Sequence, residues 1–279
     1  MEDVVRDFEA WSDNTARRIV NWANPNLNFD DRLTRGWAFT RLDHALYILA
    51  LYGLLVALGA PRDRNATRPS LMHRFKTEPI LLLQTLYNLI QVLLCLFMIV
   101  GTVIVHQKRG YGLFCVPYNS QDREMAFMLW VFYASKILDF CDTVFIVWRK
   151  NWAQFSFLHT YHHASIFFMY WLNVNAGYAG DIYYTIVANS FIHLLMYYYY
   201  FQSTVATRPS WGQYLTILQM VQFITMNLQA GYILMNPADC EYPRRVTFVY
   251  LFYIQSLFAL FLQFYIRKHC AGKPKAKQS

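Results

Sequence analysis

Three histidines within five positions, His159-Thr-Tyr-His162-His163, form the densest group of reactive side chains in the chain. At about 100° per residue on a helix, the three imidazoles fall within an arc of about 100° and can face a single site. A fourth, His193, precedes Met196-Tyr197-Tyr198-Tyr199-Tyr200, and helical spacing puts Asn189, His193, Tyr197 and Tyr200 on one stripe. Lys136, Asp139 and Asp142 recur at i, i+3 spacing with Thr143 next to them, a charged ridge that can pair internally. Thr216, Gln219 and Gln222 make a polar ladder at i, i+3, i+6. Burial disfavours the charged form of an imidazole, and a neutral ring can act as nucleophile or general base on a thioester or acyl group. Neutral imidazole is also the commonest metal ligand.

The elements that must carry these groups are apolar. Of 279 residues, 56% are hydrophobic, 18% aromatic and only 15% charged, whereas a soluble domain carries roughly 25% charge. The apolar residues gather into seven runs, 44–60, 79–105, 125–148, 156–176, 182–205, 211–236 and 247–266. Each approaches or exceeds the roughly 20 residues of a membrane-crossing helix. Backbone polar groups in lipid must be satisfied within the segment, and no alternating ten-residue pattern suggests a barrel, so the expectation is an all-α membrane protein with seven transmembrane helices. Pro61, Pro117, Pro209 and Pro237 fall in the connections. Residues 1–41 lack an early apolar core, so the first span is expected to act as its own insertion signal.

The formal charge of +8 lies in short segments between apolar runs, which reads as membrane topology and not as nucleic-acid binding. With a cytosolic C-terminus, thirteen basic residues (Arg62, Arg64, Arg68, Arg74, Lys76, Arg149, Lys150, Arg208, Arg267, Lys268, Lys273, Lys275, Lys277) face the cytosol. Five (Lys108, Arg109, Arg123, Arg244, Arg245) face the other side, so the expected orientation is N-terminus lumenal and C-terminus cytosolic. The expected organisation is a lumenal arm over 1–43, a helical domain over 44–267 and a basic cytosolic tail over 268–279. The sequon Asn65-Ala66-Thr67 then lies in the cytosol and stays unglycosylated. Cys115 and Cys240 both fall on the oxidising side, which predicts a disulfide; two free thiols are the alternative.

Ionised groups inside a span are costly and usually mark function, although Lys136, Asp139 and Asp142 also fit a structural ion-pair knot between helices. For the histidines, a metal centre of the kind found in membrane desaturases and hydroxylases is the competing chemistry. Those enzymes spread about eight or more histidines over three boxes. Here His44, His73, His106 and His269 lie at or beyond span ends, leaving His159, His162, His163 and His193 as central candidates. A receptor or transporter would leave these groups as packing.

The residues resemble the family of very-long-chain fatty acid elongases. An HxxHH box is matched by His159, His162 and His163; an NSFxHxxMYxYY signature by Asn189, Ser190, Phe191, His193, Met196, Tyr197, Tyr199 and Tyr200; and a TxxQxxQ ladder by Thr216, Gln219 and Gln222. The KxxExxDT box appears as Lys136, Asp139, Asp142 and Thr143, with Asp where the family usually has Glu. The resemblance implies a 3-oxoacyl-CoA synthase of the endoplasmic-reticulum membrane that joins a long-chain acyl-CoA to malonyl-CoA without a metal or other cofactor. It implies six of seven helices around a closed-ended acyl tunnel, with Phe167, Phe168, Met169, Trp171, Phe191 and Met196 available to line it or to face lipid. By the same resemblance His162 takes the acyl group covalently, His193 assists as acid or base, and His159 and His163 orient or stabilise charge. Lys136, Asp139, Asp142, Thr143, Asn189, Tyr197, Tyr200, Gln219 and Gln222 serve the substrates, Lys136 as a contact for CoA. The run from Gln154 to His163 is similar to members that elongate polyunsaturated chains. Partners implied are membrane lipid, the other enzymes of the elongation cycle and a second copy of the chain. Lys275-Ala-Lys277-Gln-Ser matches a KxKxx retrieval signal, with attraction to anionic lipid as the alternative.

Overall fold

Two of the helices begin where a short polar side chain takes up an unpaired backbone donor. Asp122 Oδ1 accepts from Met125 N at 2.9 Å, and Ser156 Oγ accepts from His159 N at 3.2 Å, each an N-cap that satisfies a donor of the first turn. The computed structural model describes residues 2–60, 78–206 and 209–269, and among them all regular structure is helical. In chain order the elements are α1 (Glu2–Ala23), α2 (Leu42–Gly59), α3 (Glu78–Lys108), α4 (Arg123–Trp148), α5 (Phe157–Ala176), α6 (Ile182–Val205), a 3-10 turn (Ser210–Tyr214), α7 (Leu215–Met235) and α8 (Arg244–His269). The sequon at Asn65, the arginines between Arg62 and Arg74, Lys76, Arg208, Cys270 and the tail lysines lie outside the described residues.

The seven apolar runs correspond to α2 through α8 within a few residues, with two differences. The run from 211 opens as a 3-10 turn, because Pro209 stands at its cap and Gly212 lets the backbone approach the Tyr199 ring where a Cβ would collide. The N-terminal arm contains a 22-residue helix, α1, whose apolar positions are interleaved with charges. It buries Ser12, Ala16, Val20 and Ala23 and leaves Trp11 and Trp22 outward.

Three helices, α2, α3 from Pro79 and α8 to Lys268, are long and apolar enough to cross a membrane. Their outer faces carry unscreened apolar side chains, with Leu82 59% and Leu93 57% exposed on α3, a pattern suited to lipid and not to water. The intervening helices α4 to α7 are interrupted by the polar residues singled out above. Phe167, Met169 and Trp171 are buried, whereas Phe168 (39%) and Phe191 (49%) are exposed.

One end of α5 is fastened by the chain that precedes α2. The last carbonyls of a helix have no partner within it; here Thr34 Oγ1 donates to Val174 O at 2.7 Å, Asn24 Nδ2 to Ala176 O at 2.8 Å and the Tyr242 hydroxyl to Gly177 O at 3.0 Å. Arg32 Nε donates to Asn175 Oδ1 at 2.9 Å while its guanidinium lies 3.8 Å from the centre of the Phe29 ring. Burial pulls the Arg32 guanidinium down to about 10, which leaves it cationic at neutral pH. Between α5 and α6 the turn needs Gly180, at φ +67, since a Cβ there would sit 3.1 Å from Val116 O.

Cys115, between α3 and α4, is bonded to Cys240, between α7 and α8, across 125 residues. A cross-link closing so long a loop restricts the unfolded chain, and its loss costs on the order of 2–5 kcal/mol. Replacing both cysteines by Ser is therefore expected to lower the thermal midpoint of the purified protein. Alkylation of native membranes without reductant should leave Cys115 and Cys240 unlabelled; labelling of both would show that the bond is not formed in the cell.

Candidate active site

Ser156 starts α5 three residues before the first histidine, so His159, His162 and His163 occupy its first two turns on one side. The imidazole centres step across the site: His159 to His163 is 4.3 Å, His163 to His162 is 5.6 Å and His162 to His193 on α6 is 6.5 Å. Three histidines of α5 and one of α6, thirty residues further on, thus form one file. His159 Nε2 lies 2.8 Å from Thr143 Oγ1, which is 3.1 Å from the Tyr52 hydroxyl, tying α5 to α4 and α2. The Nδ1 atoms of His162 and His163 are buried without a hydrogen-bond partner. A ring nitrogen without a partner is not held in a hydrogen bond that a nucleophile or base would have to break.

Beside the file stands the charged ridge of α4. Lys136, 2% exposed, donates from Nζ to Asp139 Oδ2 at 3.0 Å and lies 4.4 Å from the centre of the Phe132 ring. Its amine is directed to Asp139 inside the bundle. Asp139 Oδ1 accepts from Gln91 Nε2 at 2.9 Å and from the Tyr197 hydroxyl at 3.1 Å. Its Oδ2 is 4.0 Å from His193 Nδ1. Asp142 is not bonded to Lys136; its Oδ2 lies 2.8 Å from the Tyr197 hydroxyl. A buried ion pair is tolerable only when further hydrogen bonds complete its shell, and Gln91 and Tyr197 supply them.

The remaining stripe residues divide. Asn189 and Ser190 are buried with Asn189 Oδ1 and Ser190 Oγ unpartnered, poised one turn from His193. Tyr200 packs edge-on to Tyr197 at 6.2 Å. Tyr198 and Tyr199 turn away to Trp211. Gln222 Nε2 is directed to Met226 Sδ of its own helix at 3.3 Å, and Gln219 is part-buried on α7.

Tyr52, Tyr87 and Gln91 complete the site from α2 and α3, and no motif contained them. Gln91 had a signal, a polar side chain within an apolar run; Tyr52 and Tyr87 look in sequence like any packing aromatic. Among the described residues no group of three or more His, Cys, Asp or Glu side chains is arranged to hold a metal ion.

Comparison with known proteins gives a consistent result. The family model ELO: GNS1/SUR4 matches residues 37–277. Very long chain fatty acid elongase 2 of Mus musculus is 35% identical over 255 residues, covering 89% of this chain and 83% of the relative. Very long chain fatty acid elongase 5 of Tachysurus fulvidraco is 33% identical over 271 residues, covering 94% and 86%. Very long chain fatty acid elongase 4 of Homo sapiens is 34% identical over 241 residues, covering 83% and 73%.

Proposed function

The chain belongs to the ELO (GNS1/SUR4) family, and on that premise we propose that it is a condensing acyltransferase, a very-long-chain 3-oxoacyl-CoA synthase. It joins a long-chain acyl-CoA to malonyl-CoA and yields a 3-oxoacyl-CoA two carbons longer, carbon dioxide and CoA. The observation that carries the reading is the file of four histidines beside the buried Lys136–Asp139 pair.

The chemistry follows from these groups. A ring nitrogen of His162 attacks the thioester carbonyl carbon, the C–S bond breaks, and CoA leaves as the thiol after taking up the proton displaced from the ring. The acyl-imidazole remains activated yet shielded from water. Decarboxylation of malonyl-CoA releases carbon dioxide and leaves a carbanion at C2; it attacks the acyl carbonyl, the bond to the ring breaks, and the departing ring nitrogen takes up one proton, drawn from solvent by way of His193, to regenerate neutral His162. His193, turned toward Asp139, serves as acid or base, and His159, held by Thr143, fixes the orientation of the file. Asn189 Oδ1, Tyr200, Gln219 and Gln222 are further groups offered to substrate.

In the same proposal α2 to α8 all cross the endoplasmic-reticulum membrane, N-terminus lumenal and C-terminus cytosolic, and six of them surround a closed-ended acyl slot. The outward apolar faces, the helix lengths of 18 to 31 residues and the distribution of Lys and Arg support it. A polyunsaturated acyl chain is the proposed preference, on the run from Gln154 to His163. Purified protein given labelled malonyl-CoA and a panel of saturated, mono- and polyunsaturated acyl-CoAs, without reductant or added metal, should yield labelled 3-oxoacyl-CoA, most from the polyunsaturated members. A product that depends on oxygen or reductant would overturn the reading.

A further inference from the structure

Tyr197 has one hydroxyl hydrogen and two carboxylate neighbours. Its oxygen lies 2.8 Å from Asp142 Oδ2 and 3.1 Å from Asp139 Oδ1, both within O–H···O range or close to it. A single hydrogen can serve both only as a weakened bifurcated bond, so a full bond at each contact takes a second hydrogen. The other donors nearby are shared among several acceptors: Gln91 Nε2 reaches Asp139 Oδ1 at 2.9 Å and the Tyr87 hydroxyl at 3.0 Å, and that hydroxyl lies 3.2 Å from Leu138 O and, more distantly, 3.4 Å from the Tyr197 hydroxyl.

A charge count agrees. The groups facing the two carboxylates are Lys136 from α4, Tyr87 and Gln91 from α3, and Tyr197 and His193 from α6, with His162 beyond His193. Lys136 is the one lysine or arginine among them. Two ionised carboxylates around one lysine would leave a net negative charge in a helical interior, which is costly, and neighbouring carboxylates relieve it by retaining a proton. Asp139 is the member bonded to Lys136 at 3.0 Å, so it is the one that stays ionised.

We infer that Asp142 is a neutral carboxylic acid in the resting protein, donating to the Tyr197 oxygen, which in turn donates to Asp139. The three groups hold a single negative charge, matched by Lys136. Asp142 is then a positioning residue. Through Tyr197 it keeps Asp139 Oδ2 turned to His193 Nδ1, which favours the tautomer with hydrogen on Nδ1 and leaves Nε2 basic. The 4.0 Å separation of that last pair is open, and such contacts tighten when substrate binds.

The protonation stands by itself, whereas the positioning role rests on the condensing reading, so two measurements are made. Infrared difference spectra of the purified wild type at neutral pH are expected to contain a carboxylic-acid C=O band that shifts in D2O and vanishes in Asp142→Asn. Its absence from the wild type would overturn the inference. In the condensation assay, Asp142→Asn, which keeps an N–H to give Tyr197, is expected to hold kcat within about tenfold of wild type. Asp142→Ala and Asp139→Asn are expected to lose at least about 100-fold. Asp142→Asn as impaired as Asp139→Asn, in protein that elutes as folded, would refute the positioning role. A wild type that makes no 3-oxoacyl-CoA would refute the condensing reading, and the infrared result would still decide the proton.

Discussion

His162→Ala should make no measurable 3-oxoacyl-CoA: removal of the nucleophile is expected to lower kcat by at least about 10³-fold. The ring makes no side-chain hydrogen bond that holds the fold; its neighbours are the rings of His163, His193 and Phe261. The variant is therefore expected to elute like the wild type, which separates lost chemistry from lost structure. Wild-type protein given acyl-CoA alone should release CoA in a single turnover and retain the acyl mass on the peptide that contains His162. Full activity in the variant, with no adduct on the wild type, would remove His162 from the covalent role.

Lys136→Met carries the second large effect, this time on stability. The substitution leaves Asp139 in the interior without its cation, and loss of one member of a buried pair costs about 3–5 kcal/mol. Asp139→Asn exposes the converse problem, an ammonium facing an amide. The double variant removes both charges while keeping an oxygen to accept from Gln91 and Tyr197, so it should be more stable than either single one. Thermal unfolding of the four proteins in detergent completes a double-mutant cycle. Single variants within about 0.5 kcal/mol of wild type would mean that the pair is solvated and not enclosed.

Much of this site was legible before any fold was known, because its information is local. Helical periodicity fixes which of His159, His162 and His163 share a face, and three charges inside one apolar run announce a site that must be enclosed. The ends of α2 to α8 were legible for the same reason, since charged and proline-containing connections interrupt otherwise continuous apolar runs. Helix α1 was not, because its buried stripe of Ser12, Ala16, Val20 and Ala23 is narrow and charged residues are interleaved among its other positions.

Pairings between helices were beyond reach. That Asp142 answers to Tyr197 and not to Lys136, that Gln91 and Tyr87 enter from α3, that Tyr52 reaches Thr143, and that Phe168 and Phe191 face outward all depend on how helices rotate and pack. The sequence by itself determined the all-helical architecture and the identity of the reactive groups, because hydrogen bonding within a helix and the transfer of apolar runs out of water act over neighbouring residues. Only the tertiary structure decided which group touches which, because distances between helices are set by the packing of many side chains at once.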